Sequence, residues 1–96
     1  MPKGYVIARA VVTDAEAWSQ YAAKATAAQK VYGGKPIVRG GRCEVMEGEG
    51  RARNVVIEFE SFDQARAYAN SPEYAEARAL RQHAGVIDIV VVEGAE

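Results

Sequence analysis

The chain has 96 residues, of which 49% are hydrophobic and 26% are charged, and its formal net charge is −1. A chain of this length has material for one hydrophobic core, so we predict a single domain over residues 1–96. The near-zero charge argues against nucleic acid as a partner, because nucleic-acid binders need clustered cations to displace the counterions of phosphates.

The first predicted elements are a strand and a long amphipathic helix. Residues 5–12 are rich in β-branched side chains, which favour a strand. Thr13 and Glu16 have the spacing of a capping box, in which Thr13 caps the following helix. Apolar residues then recur at helical spacing and define one helix face: Trp18, Tyr21, Ala22, Ala25, Ala28 and Tyr32. Gly33 ends this helix, because glycine adopts the left-handed C-terminal conformation without steric cost.

Two strands and two short helices follow, and then a last strand. Residues 36–47 and 53–60 are the strands, and the glycine-rich segment 48–50 between them favours a turn, so we predict a β-hairpin. Ser61 caps a short helix, and Ser71 caps a second one that is predicted to end near Gln82. Residues 86–93 form the last strand.

This order of elements predicts an α+β fold of the ferredoxin-like βαββαβ type, with a four-stranded antiparallel sheet and the helices on one face. Residues 6–8, 55–57 and 89–92 are nevertheless apolar at consecutive positions, which indicates that both faces of the sheet are covered. The helices cover one face. We therefore predict a homodimer in which the other face is buried against the same face of a second copy.

The chain also resembles a known family over nearly its whole length. The segments that carry the resemblance are Tyr5-Val6-Ile7-Ala8, Tyr32-Gly33-Gly34, Val38-Arg39-Gly40-Gly41, Glu47-Gly48, Glu58-Phe59, Ser71-Pro72-Glu73-Tyr74 and Leu80-Arg81. These segments are similar to the bacterial "domain of unknown function 1330" family. The resemblance implies a dimeric α+β barrel but no reaction, because the activity of that family is not established. The wider superfamily includes cofactor-free monooxygenases, lactone isomerases and haem enzymes.

Arg39 is the first candidate for a functional residue. It lies in a predicted strand beside two glycines, on a face that it shares with apolar neighbours such as Ile37. Two interpretations remain open. In one, its guanidinium reaches a cavity between the sheet and the helices and binds a carboxylate there. In the other, Arg39 forms an ion pair with Glu58 on the neighbouring strand, or a salt bridge at the interface.

Three tyrosines are further candidates. Tyr21, Tyr68 and Tyr74 lie on helix faces that should meet the sheet. Their hydroxyls either bind a ligand or donate a proton to it, or they are the polar tips of ordinary core residues.

His83 and Arg81 complete the candidates near the end of the last helix. His83 is the one side chain whose ordinary pKa suits proton transfer near neutrality, but a histidine at a helix C-terminus also stabilises the helix dipole. Arg81 either faces a ligand, or forms an ion pair with Asp88, or belongs to a solvated charged face.

These candidates support two hypotheses. In the first, the protein binds a small anionic or aromatic molecule between sheet and helices and catalyses cofactor-independent, isomerase-like or monooxygenase-like chemistry. Its site residues are, for binding, Arg39, Tyr21, Tyr68, Glu58 and Arg81 and, for catalysis, His83 and Tyr74. In the second, the chain is a non-catalytic, ligand-binding or structural homodimer. The glycine patterns of nucleotide-binding loops are absent and one histidine makes a poor zinc site, so we expect neither a cofactor nor a metal.

The single cysteine and the apolar segments bear on location. Cys43 has no second cysteine with which to form an intrachain disulfide, and we expect it to be a small buried hydrophobe in its strand. The start of the sequence lacks the apolar run of a signal peptide, and no stretch approaches the roughly 18 apolar residues of a membrane span. We therefore expect a cytoplasmic protein that does not bind membranes.

Overall fold

The computed structural model describes residues 2–96, so the first residue of the predicted domain 1–96 lies outside the described residues. The elements are β1 (Gly4–Val12), α1 (Ala15–Val31), β2 (Lys35–Arg39), β3 (Arg53–Phe59), α2 (Phe62–Ala69), α3 (Pro72–Ala79) and β4 (Gly85–Glu93). The four strands form an antiparallel sheet in the order β2-β3-β1-β4. The predicted βαββαβ fold is confirmed. Within the described range, no helix is long and apolar enough to cross a membrane.

The sheet has an inner face, which is turned toward the helices, and an outer face. On β1, Val6, Ala8 and Ala10 alternate with outward-pointing side chains and are buried on the inner face. Residues that pair across the sheet point to the same side, so the partners of Ile7 and of the other outward-pointing residues of β1 also lie on the outer face. The outer face includes Tyr5, Ile7, Arg9, Val11, Lys35, Val38, Asn54, Val56, Glu58, Val86, Asp88, Val90 and Val92.

The helices lie at two different distances from the inner face. α2 packs directly on β1 and β4, whereas α1 makes its main contacts with α3. A Cβ atom at Gly4 would collide with the backbone of Ser61 and Phe62, so the glycine lets the start of α2 approach β1 closely. On the other side, the buried aromatic rings of Trp18 and Tyr21 separate α1 from the strands.

Several predicted helix ends are confirmed and two are wrong. Ser61 and Ser71 cap α2 and α3 as predicted. α1 is capped by Asp14 rather than Thr13, and the Ala17 amide donates to Asp14 Oδ1 at 3.1 Å. The backbone amides of Thr13 and Asp14 both donate to the Ala84 carbonyl, which follows α3. These two hydrogen bonds hold Thr13 outside the helix, so the cap is one residue later than predicted. α3 ends at residue 79 rather than near residue 82, and a turn follows.

The predicted hairpin of residues 36–60 is wrong in its first strand. β2 ends at Arg39, because Gly40 has a positive φ of 66° and donates its amide to the Asn54 carbonyl at 2.8 Å. Residues 41–50 are exposed and irregular, since their alternating charges provide no apolar face to bury. Cys43 is consequently exposed rather than buried, and Asn54 Nδ2 donates to its sulfur at 3.2 Å.

Candidate functional site

A cavity lies between α1 and the inner face of the sheet. Its volume is about 80 Å³. Most of its wall is apolar and comes from Val6, Ala8, Ala10, Ala25, Val55, Ile57, Ile87 and Ile89. This size and lining suit a ligand with one small ring or a short chain. Polar groups of such a ligand would have to contact the few polar side chains of the wall.

A β-bulge in β2 directs Arg39 toward this cavity. The register passes from Pro36 opposite Ile57 to Val38 opposite Val56, so Ile37 is an extra residue. Strict alternation would give Arg39 the same face as Ile37. After the bulge, Arg39 instead shares the inner face with Pro36, and both residues line the cavity. Arg39 is exposed, which places its side chain at the mouth.

The predicted alternative of an ion pair between Arg39 and Glu58 is wrong. Glu58 lies on the outer face, opposite Lys35 and Tyr5 in the register, and therefore on the other side of the sheet from the cavity. Its carboxylate accepts a hydrogen bond from the Tyr5 hydroxyl at 3.1 Å. This hydrogen bond raises the pKa of Tyr5 above its ordinary value.

Arg53 is a second arginine in the wall, and the sequence analysis missed it. It lies at the start of β3 on the inner face, and its Nε is buried without a hydrogen-bond partner among the described residues. A Cβ atom at Gly40 would collide with its guanidinium, so the glycine leaves room for this side chain. Within residues 2–96, neither Arg39 nor Arg53 takes part in a salt bridge. Alternation along β3 back from the buried Ile57 would have indicated that Arg53 faces inward.

Three tyrosines and an arginine form the helical part of the site. Tyr21, Tyr68 and Tyr74 are buried and line the cavity. The hydroxyl oxygens of Tyr21 and Tyr74 are 2.9 Å apart, and Arg81 Nη2 donates to the Tyr74 hydroxyl at 3.4 Å. The Arg81 guanidinium also lies 5.3 Å from the centre of the Tyr21 ring, a cation–π distance.

Burial moves the pKa values of two of these hydroxyls still further above neutral pH. Removal from water raises the pKa of Tyr68 to about 12. Removal from water, together with the neighbouring Tyr74 hydroxyl, raises the pKa of Tyr21 above its ordinary value. Both groups therefore act as hydrogen-bond donors or acceptors rather than as bases.

Gln29 of α1 is a further polar residue in the wall that the sequence analysis missed. It is 6% exposed and its Nε2 donates to the Tyr68 hydroxyl at a long 3.5 Å, while its Oε1 has no hydrogen-bond partner in the described part of the chain. A buried polar atom without a partner costs about 1–3 kcal/mol, so this atom calls for an explanation. The signal in the sequence was a glutamine four residues after Ala25, within the apolar face of the helix.

The remaining candidates lie outside the cavity. His83 is exposed in the turn that follows α3. Arg81 contacts the cavity wall by donating a hydrogen bond to Tyr74. The predicted alternative of an ion pair between Arg81 and Asp88 is wrong, because Asp88 lies on the outer face and forms its salt bridge with Arg51 at 2.8 Å. Among residues 2–96, no group of three or more His, Cys, Asp or Glu side chains is placed to hold a metal ion.

Comparisons with known proteins place the chain among proteins without an assigned function. The family model "Domain of unknown function (DUF1330)" matches residues 3–95. No curated protein matches the chain in sequence.

Solved structures share the fold. A Rhodopseudomonas palustris protein of unknown function has 17% identity and a TM-score of 0.78 over 99% of this chain and 84% of that chain. A dimeric ferredoxin-like protein of unknown function from Thermobifida fusca has 18% identity and a TM-score of 0.62 over 99% of this chain and 92% of that one. A Nitrosomonas europaea protein, provisionally named an antibiotic biosynthesis monooxygenase, has 12% identity and a TM-score of 0.54 over 96% and 89% of the two chains. At these identities the likeness shows a shared fold.

Proposed function

The chain belongs to the DUF1330 family, and we propose that it binds a small carboxylate with an apolar body in the cavity between α1 and the sheet. One observation carries this proposal. Arg39 and Arg53 both line an otherwise mostly apolar cavity, and neither has a salt-bridge partner within residues 2–96. Their guanidinium groups match the geometry of a carboxylate, to which each can present two parallel N–H donors.

The lining of the cavity suits a ligand that has a carboxylate at one end and an apolar body at the other. The carboxylate would lie at the mouth, near Arg39 and beside the half-buried side chain of Arg53. The apolar part would contact the aliphatic wall from β1, β3 and β4. A hydrogen bond to a charged group is worth about 1.5–3 kcal/mol, so one arginine accounts for roughly a tenfold to hundredfold gain in affinity.

We assign the outer face to a second copy of this chain. Valines on this face remain exposed, with Val86 at 55%, Val90 at 51%, Val11 and Val38 at 43% and Val92 at 38%. Ile7, Val38, Val56 and Val90 lie side by side across the four strands, and an exposed apolar patch of this kind is typical of an interface. The Thermobifida fusca protein of the same fold is described as dimeric, which supports a homodimer through the sheets here.

A catalytic role of the cavity is the second candidate function. It is supported by Tyr21, Tyr74 and Arg81, which bring hydrogen-bond donors and a positive charge to an enclosed wall. The provisional monooxygenase name of the Nitrosomonas europaea protein agrees with it. The chemistry would be cofactor-independent and isomerase-like or monooxygenase-like, with Tyr74 at the reacting atoms. His83, in its exposed turn, has no part in this proposal.

A thermal-shift comparison of benzoate, benzamide and benzylamine tests the binding proposal. The three share a ring and differ in charge. At a hundred times its dissociation constant, a ligand adds about 2.7 kcal/mol of stability, or roughly 10–20 °C in Tm for a domain of this size. We expect benzoate to raise the Tm and the other two to leave it unchanged. Equal shifts from all three, or no shift from any small carboxylate, would overturn the proposal and favour the structural homodimer.

A further inference from the structure

We infer that the hydroxyl pair of Tyr21 and Tyr74, with Arg81 behind it, is a binding site for a second ligand oxygen that carries or develops negative charge. The ligand class narrows to small carboxylates that also carry a carbonyl or phenolic oxygen. This inference rests on the proposed function, because it assumes that a carboxylate binds at Arg39 and Arg53.

A count of protons shows that the tyrosine pair has a donor to spare. Arg81 donates an N–H to the Tyr74 oxygen, and one of the two hydroxyl protons occupies the 2.9 Å contact between the tyrosines. The other hydroxyl proton has no acceptor among the residues that the structure describes. It belongs to Tyr21 if Tyr74 donates to Tyr21, and to Tyr74 in the reverse case. Both residues line the cavity, so the spare donor is available to a ligand there.

Arg81 makes this donor stronger. Its guanidinium is positively charged and donates to Tyr74 at 3.4 Å while it lies 5.3 Å over the Tyr21 ring. A donor whose oxygen itself accepts from a cation is polarised, and hydrogen bonds in such a chain reinforce one another. Arg81 lies outside the cavity lining, so it acts through the tyrosines as a positioning residue. Its Nε is buried without a partner among residues 2–96.

The location of the pair determines what it selects. The tyrosines and Arg81 belong to the helical wall, on α1, on α3 and just after α3, whereas Arg39 and Arg53 belong to the strands. A ligand that spans the cavity therefore meets arginine donors through one group and the phenolic donor through another. Preorganised donors of this kind stabilise charge that develops on an oxygen, since they need no reorganisation when the charge appears.

Tyr32 provides a matched control within the chain. It also lies next to the cavity-forming residues of α1, but its hydroxyl already donates to Glu73 Oε1 at 2.9 Å. Tyr32→Phe therefore removes a part-buried tyrosine hydroxyl without removing a spare donor. Any effect that the variants of the tyrosine pair share with Tyr32→Phe is a general effect on stability.

The test uses para-hydroxybenzoate labelled with an NMR-active isotope at the hydroxyl-bearing carbon, whose chemical shift reports ionisation of the phenol. The isosteric para-methylbenzoate has the carboxylate and a methyl group in place of the hydroxyl. Affinities for both compounds, and the pH titration of the bound label, are measured in the wild type, in the double variant Tyr21→Phe/Tyr74→Phe, and in Arg81→Gln and Tyr32→Phe. The double variant is needed because either tyrosine alone would still have a hydroxyl proton without an acceptor. The titration stays below pH 10, the pH at which a free tyrosine side chain is half ionised.

We expect the bound phenol to ionise at least about one pH unit lower than the free compound, which means roughly tenfold tighter binding of the phenolate than of the phenol. The double variant Tyr21→Phe/Tyr74→Phe should abolish this shift and Arg81→Gln should reduce it, whereas Tyr32→Phe should retain it and bind para-methylbenzoate as the wild type does. If both compounds bind but the phenol ionises no more readily than in water, or the shift survives in the double variant, the inference is overturned and the carboxylate site stands. If neither compound binds, the proposed function fails as well.

Discussion

The two faces of the sheet are built from alternate residues of the same strands, but they differ in which groups lack a partner. On the outer face these are apolar side chains, and on the inner face they are polar atoms. On the outer face several polar groups have partners within the chain, as in the pairs Arg51–Asp88 and Tyr5–Glu58, and the valines are exposed. In the layer on the inner face the apolar groups are buried, and the polar atoms without partners are Gln29 Oε1 and the Nε atoms of two arginines, among the described residues. The outer face thus suits an apolar protein surface, and the inner layer suits a small ligand with polar groups.

The largest expected effect contrasts a truncation on each face. Phe59 on the inner face is 1% exposed, so Phe59→Ala should cost about 3–5 kcal/mol of unfolding free energy through lost burial and an unfilled cavity. Val90 on the outer face is 51% exposed, so Val90→Ala should cost less than about 1 kcal/mol in the monomer. Urea unfolding at low protein concentration measures both values. Equal costs would remove the distinction between the faces.

Alkaline pH should weaken the packing on the inner face through Tyr68. The pKa of Tyr68 is raised from 10.0 to about 12 in the folded protein, so the folded state holds this proton more tightly than the unfolded chain. Its contribution is complete below pH 10 and is lost as the pH rises to 12, by roughly 3 kcal/mol in total. Unfolding free energies measured across this range should fall in the wild type and fall less in Tyr68→Phe. A parallel decline in the two proteins would contradict this assignment.

A charge on the outer face should separate assembly from ligand binding. Val90→Lys would place like charges at the contact of two copies, and we expect the dissociation constant of the homodimer to rise at least about a hundredfold. Analytical ultracentrifugation measures this change, and Val31→Lys, which alters an exposed valine of α1, is the matched control. A dimer that Val90→Lys leaves intact would mean that the outer face is not the interface.

The fold was predictable because each of its signals is local. Serine caps at 61 and 71, the left-handed Gly33 and the apolar face that includes Trp18 and Tyr21 all depend on spacing along the chain, and the structure confirms them. The apolar runs in β1 and β4 likewise indicated two faces to be covered.

The site was less predictable because it depends on register. An extra residue at Ile37 reverses the side of every residue that follows it in β2, and alternation alone gave Arg39 a face shared with Ile37. The structure puts Arg39 at the cavity through the bulge. Arg53, by contrast, was predictable from the sequence, because alternation along β3 back from Ile57 gives it the inner face.

The smallest expected effect is on the stability of the fold and comes from a buried polar side chain of the cavity wall. Gln29→Leu replaces a buried amide, whose Oε1 has no partner within residues 2–96, by an apolar group of similar size. We expect a gain of about 1 kcal/mol in unfolding free energy, because the desolvation penalty of the unpaired atom disappears. Thermal unfolding measures this gain. A loss of stability instead would show that the weak hydrogen bond from Gln29 to Tyr68 outweighs the unpaired oxygen.

Calorimetric titration of benzoate into the wild type, Arg53→Gln and Arg51→Gln tests the carboxylate site most directly. The two arginines are two residues apart, but Arg53 lines the cavity and Arg51 pairs with Asp88 on the outer face. We predict that Arg53→Gln weakens binding tenfold to hundredfold, at about 1.5–3 kcal/mol for a charged hydrogen bond, and that Arg51→Gln leaves it unchanged. Binding that survives Arg53→Gln, or that both variants weaken equally, would contradict the site.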